Sequence, residues 1–144
     1  ETTPTQLKKV LSASNILLIN DSESTMLTGE KNINAAASSL LSLGPEIIVI
    51  KKGSNGAELF SNKEHLRIGA FPVEQVIDPT GAGDVFAGAF TACLSAGQTS
   101  QSALLNASAM ASICIESFGT ERVQSASNDE IRERVDFLSK TVKS

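Results

Sequence analysis

Histidine and cysteine are scarce in this chain of 144 residues, which has one histidine, His65, and two cysteines, Cys93 and Cys114. A metal site built from these side chains needs three or four of them, so this scarcity argues against one. A disulfide framework would want more cysteines in a shorter chain. Both cysteines lie in apolar, alanine-rich stretches, which predicts two buried free thiols in a reducing compartment.

Clustered positive charge and long apolar runs are also missing. The net charge is −4, and the lysines and arginines are scattered along the chain. A nucleic-acid partner needs a basic surface that neutralises phosphates, so we expect none. No apolar run approaches the ~20 residues that span a bilayer, and we expect a cytoplasmic protein without a membrane partner. The 41% of hydrophobic residues is enough for the core of a single domain.

Two short, continuous apolar runs, residues 16–19 and 47–50, predict strands that are buried on both faces, as in a parallel sheet. Between them, Asn32 precedes a helical pattern that stops at Gly44 and Pro45. The order strand, helix, strand is a βαβ unit with parallel strands. We therefore predict the α/β class, with a mostly parallel sheet flanked by helices in one domain over residues 1–144.

Shorter strands are predicted after this unit. Residues 57–61 and 66–70 have strand character and are joined by a polar tip, Asn-Lys-Glu. Residues 73–77 predict one more strand, which the following Asp-Pro pair interrupts.

The last third of the chain has helical patterns. One helix ends near Gly97, and a second, about residues 100–118, is apolar nearly all round, as expected of a helix buried against others. A third begins where Ser127 and Glu130 have the spacing of a capping box.

Residues 78–84, Asp-Pro-Thr-Gly-Ala-Gly-Asp, join the predicted strand to the first of these helices. Glycines in such a turn let backbone N–H groups point into one small volume, and the helix N-terminus adds the positive end of its dipole. This predicts an anion site, with phosphate as the expected anion. Asp84 would be costly beside phosphate unless it accepts a proton from an attacking hydroxyl. Its alternative role is to complement the helix dipole, and local chemistry leaves both open.

This string, followed by Val-Phe-Ala-Gly-Ala-Phe at residues 85–90, resembles the C-terminal signature of the ribokinase-like carbohydrate kinases, the phosphofructokinase B type. The resemblance implies a three-layer ribokinase-like α/β fold. It also implies an ATP-dependent phosphotransferase that uses Mg²⁺ and moves the γ-phosphate to a hydroxyl of a sugar or related small molecule.

The resemblance assigns roles to most residues of the string. It implies that Asp84 is the catalytic base and that Asp78 lies near a monovalent cation, for which K⁺ is the candidate. Thr80 is assigned to the nucleotide site. The charge that develops on the transferring phosphate would be stabilised by the amides of Gly81, Ala82 and Gly83.

Asn20 and Glu23, at the end of the first predicted strand, resemble the N-x-x-E motif of the same family. There these side chains act on Mg²⁺ and phosphates, largely through water. A Mg²⁺ ion that keeps most of its waters suits one carboxylate and one amide acting through them. The alternative is that Asn20 and Glu23 merely flank a helix start.

Two glycines after the second predicted strand, Gly53 and Gly56, resemble the nucleotide-side turn of the family. Lys51 stands where many members have Thr or Ser. It would either contact a phosphate as a point charge or be solvated at a strand end. Asn106, inside an apolar helix, matches a position near the adenine, and its alternative partner is a backbone group within the core.

The resemblance covers nearly the whole chain but only the C-terminal half of the family. We therefore expect a fragment, without the Gly-Gly motif, most acceptor contacts and the β lid through which members often dimerise. Alone, it should bind nucleotide weakly and turn over little. A nucleoside kinase and a non-catalytic protein that binds a phosphorylated ligand stay open. Dinucleotide binding is a less supported alternative, because no G-x-G-x-x-G motif follows the first predicted strand.

Overall fold

The computed structural model describes residues 4–144, which fall into two compact units. The strand unit contains residues up to Gly53, Ala57–Arg67 and Ser144. The helical unit contains Ser54–Gly56 and Ile68–Lys143. Across residues 4–144, none of the helices combines the length and the apolar character that crossing a bilayer requires.

The strand unit is built from short helices and a four-stranded sheet, and the last residue of its fourth strand belongs to the helical unit. A 3₁₀ turn, Gly53–Asn55, follows the second strand. The elements are α1 (Pro4–Ser12), β1 (Ile16–Asn20), α2 (Asp21–Thr28), α3 (Ile33–Leu41), β2 (Ile47–Lys51), β3 (Ala57–Ser61) and β4 (His65–Ile68).

The sheet has the order β1-β2-β3-β4. β1 and β2 are parallel, and Asn20 lies opposite Lys51 at their carboxyl ends. β2 and β3 are antiparallel, with Val49 opposite Leu59. The predicted βαβ unit and the α/β class are therefore confirmed, and the four strands form a mixed sheet.

The core of the strand unit lies where isoleucines of the sheet pack against apolar residues of α3 and α1. Ile48 and Ile50 of β2 have no exposed surface. Ala37 and Leu40 of α3 belong to the same buried cluster, together with Leu11 of α1. Asn32 caps α3 by accepting hydrogen bonds from two backbone N–H groups of its first turn, as its position in the sequence predicts.

The helical unit is organised around its second helix. Its elements are α4 (Ala82–Ser95), α5 (Ser100–Cys114), α6 (Glu121–Ser125) and α7 (Asn128–Ser139). α5 contacts α4, α6 and α7, and most of its residues are buried. This confirms the prediction of an apolar helix enclosed by others, although α5 ends four residues before the predicted position.

The predicted strand over residues 73–77 is wrong. The segment has no regular secondary structure, and Val76 and Ile77 are 55% and 38% exposed. The backbone N–H of Ile77 donates to the carbonyl of Ile115 at 2.8 Å. A strand forms only against another strand, and none of the four described strands pairs with this segment.

Two smaller predictions are half right. Ser127 accepts a hydrogen bond from the N–H of Glu130 at 3.1 Å, but the Glu130 carboxylate pairs with Arg122 and Arg134 instead of closing the capping box. Cys114 is a buried free thiol as predicted, whereas Cys93 is only half-buried.

Candidate active site

The segment 78–84 meets α4 through a glycine in the left-handed region. Gly81 has φ +82° and occupies the N-cap position without a side chain to cap the helix. The N–H of Ala82 donates to Pro79 at 3.3 Å, whereas the N–H groups of Gly83 and Asp84 have no acceptor among the described residues. Unpaired amides at a helix start suit an anion, because they lie at the positive end of the dipole.

The carboxylate of Asp84 is exposed in the first turn of α4. Within residues 4–144 it forms neither a hydrogen bond nor an ion pair. A Cβ atom added at Gly81 would meet nothing within 4 Å, so the approach to the start of the helix is open. A free carboxylate and free amides thus stand next to each other in the chain.

Asp78 and Thr80 shape the segment before the helix. Hydrogen bonds from the hydroxyl and the backbone N–H of Thr80 (2.9 Å for the latter) lower the pKa of Asp78 below its ordinary value. The lowered pKa favours the ionised carboxylate, which is the form of Asp78 that would bind a cation. The carbonyl of Thr80 lies 3.9 Å from the Sγ atom of Cys114, in the last turn of α5.

In the strand unit, Asn20 and Glu23 form a complete capping box at the start of α2. Asn20 Oδ1 accepts from the N–H of Glu23, and Glu23 Oε2 accepts from the N–H of Asn20, both at 2.8 Å. The helix-start alternative therefore describes their contacts. Oε1 of Glu23 and Nδ2 of Asn20 have no protein partner among the described residues. This leaves one acceptor for the waters of hydrated Mg²⁺ and one donor for a phosphate oxygen. The metal role stays a prediction.

Of the two glycines in the nucleotide-side turn, Gly53 and Gly56, close packing requires only the second to be glycine. Gly56 has φ +85°, and a Cβ atom there would lie 2.0 Å from the carbonyl oxygen of Ile68. Gly53 has φ +54° with open space around it. Lys51 is half-buried and forms no ion pair within the described chain. A nucleotide role for these three residues stays a prediction.

Asn106 satisfies its amide inside α5. Its Nδ2 atom donates to the carbonyl of Ser102 at 2.9 Å, one turn earlier in the helix. This backbone partner is the alternative that the sequence left open. The adenine role stays a prediction, with the carbonyl oxygen of the Asn106 side chain as the group still available.

Sequence reasoning missed a charged cluster in the strand unit. Glu58 is 4% exposed in β3 and contacts three basic side chains. Lys52 lies at 2.5 Å, His65 at 2.9 Å and Arg67 at 3.2 Å. The available signal was a glutamate inside the apolar run Ala-Glu-Leu-Phe, but its partners become visible only when the strands pair.

A second missed network lies in the helical unit. The guanidinium of Arg134, a residue 6% exposed, contacts Glu116, Glu130 and Ser112. The sequence signal was the i,i+4 spacing of Glu130 and Arg134. Within residues 4–144, no group of three or more histidine, cysteine, aspartate or glutamate side chains is placed to hold a metal ion.

Comparison with known proteins connects these features to a family. The pfkB family carbohydrate kinase model matches residues 1–126. Ribokinase of Arabidopsis thaliana is 33% identical over 114 residues, which are 75% of this chain and 30% of that protein. Cytidine kinase of Thermococcus kodakarensis is 34% identical over 94 residues, 64% of this chain and 34% of that protein.

Comparison with solved structures finds the same fold in similar proteins. A crystal structure from Escherichia coli, provisionally assigned as a ribokinase II and in complex with ATP and Mg²⁺, superposes with a TM-score of 0.79 at 30% identity. The match covers 92% of this chain and 42% of that one. The chain thus spans about a third of the length of the curated relatives that it matches, and less than half of this structure.

Proposed function

Because the chain belongs to the pfkB family of carbohydrate kinases, we propose that residues 1–144 carry the nucleotide-binding and catalytic part of an ATP-dependent sugar kinase. The reaction would transfer the γ-phosphoryl group of ATP to a hydroxyl of a sugar. Ribokinase is among the relatives, and the E. coli structure was solved with ATP and Mg²⁺.

One observation carries the proposal: the amides of Gly83 and Asp84 have no protein acceptor, and the exposed Asp84 carboxylate stands beside them. Unpaired donors are common at helix starts, but here they lie beside an exposed carboxylate, in a turn with open space around Gly81. A phosphoryl group that gains negative charge in the transition state would use them.

The chemistry then follows from these groups. The acceptor oxygen attacks the γ-phosphorus, its proton passes to Asp84, and the bond from the γ-phosphorus to the β–γ bridging oxygen breaks to release ADP. The free amides of Gly83 and Asp84, with that of Gly81 in the same turn, would stabilise the charge on the phosphoryl oxygens. The amide of Ala82, also predicted for this role, would first have to leave the carbonyl of Pro79. The carboxylate of Asp84 has no cation to neutralise it among the described residues, so it is free to accept the proton.

Other residues would hold the nucleotide and the ions. Glu23 keeps one carboxylate oxygen to accept from the waters of Mg²⁺, which when bound would neutralise phosphate charge, and Asn20 keeps its Nδ2 group to donate to a phosphate oxygen. Asp78, ionised at neutral pH, is the proposed ligand of a monovalent cation such as K⁺. The remaining candidates for nucleotide contact are Lys51, Gly53, Gly56, Thr80 and Asn106.

The test is an ADP-release assay on the protein at its full natural length, with ribose and fructose as acceptors. We expect Asp84→Asn to lower kcat by about 10²–10⁴ while ATP still binds. Asp129→Asn is the matched control, because Asp129 is an exposed aspartate in the first turn of α7. Equal activity of the wild type and the Asp84→Asn variant would remove Asp84 as the base.

A nucleoside acceptor is the second candidate, since cytidine kinase is a relative at 34% identity. The same assay with cytidine and adenosine separates the two, because the preferred acceptor has the higher kcat/KM. No turnover with any acceptor, while ATP binding is intact, would favour a non-catalytic binding protein. Dimerisation through a lid stays a prediction, which sedimentation of the full-length protein would test.

A further inference from the structure

The C-terminal end of α5 contacts residues 77–80, the segment that leads into the proposed phosphate site. The carbonyl of Ile115 accepts hydrogen bonds from the backbone N–H groups of Ile77 at 2.8 Å and Asp78 at 3.3 Å. The thiol of Cys114 lies 3.9 Å from the carbonyl of Thr80. Because residues 77–80 lie in no strand or helix, these contacts with α5 define their path.

The same turn of α5 is held on its other side by one buried cation. Nη2 of Arg134 donates to both oxygens of Glu116, at 2.8 and 2.9 Å. Nη1 of Arg134 donates to the hydroxyl of Ser112 at 2.9 Å. The guanidinium therefore donates hydrogen bonds to one residue on each side of Ile115, Ser112 inside α5 and Glu116 just after it.

The guanidinium itself is fixed in place. Arg134 is 6% exposed, and its guanidinium carbon lies 4.6 Å from the centre of the Phe71 ring. Hydrogen bonds between a guanidinium and a carboxylate are stronger than those between neutral groups, and a buried guanidinium that loses its carboxylate is costly. The position of Ile115 thus depends on the contact between Arg134 and Glu116.

We propose that Arg134 and Glu116 are a positioning pair, which fixes the Ile115 carbonyl and through it the path of residues 77–80 into the start of α4. Neither side chain needs to touch a substrate for this role. The consequence for turnover rests on the proposed kinase function, whereas the consequence for the backbone of residues 77–80 does not.

The network provides a matched control. Glu130 also contacts Nη2 of Arg134, at 3.0 Å, and its carboxylate is as exposed as that of Glu116, at 24% against 23%. Both glutamates also pair with Arg122. Glu130 lies on α7 with Arg134, however, and forms no hydrogen bond with the last turn of α5. Glu116→Gln and Glu130→Gln therefore remove similar charges, and only the first loosens the turn.

The primary measurement is amide hydrogen exchange, resolved at Ile77 and Asp78, whose N–H groups bond to Ile115. We expect Glu116→Gln to speed their exchange about tenfold or more, and Glu130→Gln to change it less than about twofold. Arg134→Lys keeps the charge but has one nitrogen in place of the two that reach Ser112 and Glu116. It should give an intermediate rate and serves if Glu116→Gln does not fold. Equal exchange in Glu116→Gln and Glu130→Gln, or in Arg134→Lys and wild type, would overturn the proposal.

Kinetics on the full-length protein separate the two proposals. If the wild type is active, Glu116→Gln should lower kcat about tenfold or more, and Glu130→Gln should leave it near the wild-type value. Faster exchange without a loss of kcat would overturn the positioning role. If the wild type transfers no phosphate to any acceptor, the proposed function fails, and a selective rise in exchange in Glu116→Gln still supports the positioning pair.

Discussion

Asn20 and Glu23 satisfy each other's backbone N–H groups across the first turn of α2, each with a hydrogen bond of 2.8 Å. A pair that the sequence suggested for a metal therefore has a structural role in the protein itself. The two roles are compatible, because a carboxylate has two oxygens and the cap uses only Oε2 of Glu23. They can also be separated by mutation, since a cap needs an acceptor whereas a Mg²⁺ site needs charge.

Glu23→Gln should keep the cap and lose the metal. Glutamine closes a capping box as glutamate does, so we expect the free energy of unfolding to change little. Glu23→Ala loses both roles and should cost about 1 kcal/mol. The measurement is urea unfolding of each variant, together with ATP binding at several Mg²⁺ concentrations. If Glu23→Gln binds ATP with the Mg²⁺ dependence of the wild type, Glu23 has no part in holding the metal.

The strands show which parts of the fold the local sequence can predict. β1 and β2 were predictable as strands because uninterrupted Ile, Leu and Val runs suit a parallel pair. The predicted burial on both faces is right for β2 and wrong for β1, which stands first in the strand order and buries only Ile19. Residues 73–77 have similar apolar content, yet the described chain offers no strand to pair with them. Strand formation depends on a partner, which local sequence does not contain. The Glu58 cluster could not be predicted for the same reason, because it forms only when β3 is paired with its neighbours.

The candidate site was predictable in its residues but not in their contacts. Asp84 lies in the first turn of α4, as the sequence predicted, and the structure adds that its side chain is exposed and that Gly81 has a positive φ. For Asn20, Glu23 and Asn106 the sequence left open whether the protein or a ligand satisfies the side chain. Both outcomes use the same donors and acceptors, so only coordinates can show that the protein's own backbone takes part of them.

Alanine substitutions at the two glycines after β2 should have unequal effects on stability. Gly56→Ala places Cβ 2.0 Å from the Ile68 carbonyl oxygen, and the backbone must move to relieve the clash. We expect a loss of about 3 kcal/mol or more. Gly53→Ala is the control: it has a positive φ but open space, and should cost about 1–2 kcal/mol. Urea denaturation of both variants is the measurement, and equal losses would show that strain alone, without a clash, decides.

Glu58 should make the stability of the fold depend on pH in the acid range. Burial by itself raises the pKa of Glu58. Hydrogen bonds from Lys52 and His65 and the nearby positive charges outweigh that effect, so the pKa lies below its ordinary value of 4.5. A carboxyl with a lowered folded-state pKa stabilises the fold above its unfolded pKa, and this contribution is lost as the pH falls through the folded-state value.

We therefore expect the free energy of unfolding to decline as the pH drops below about 4.5, and Glu58→Gln to decline less steeply. At neutral pH the variant should be less stable by about 1–3 kcal/mol, because Lys52 and Arg67 lose the carboxylate that they share with His65. Urea unfolding of both proteins between pH 3 and 7 is the measurement. The stability difference between the proteins must shrink toward acid pH, since protonation removes from the wild type what the substitution removes at every pH. A difference that stays constant from neutral to acid pH would mean that the Glu58 carboxylate is not held ionised by its three partners.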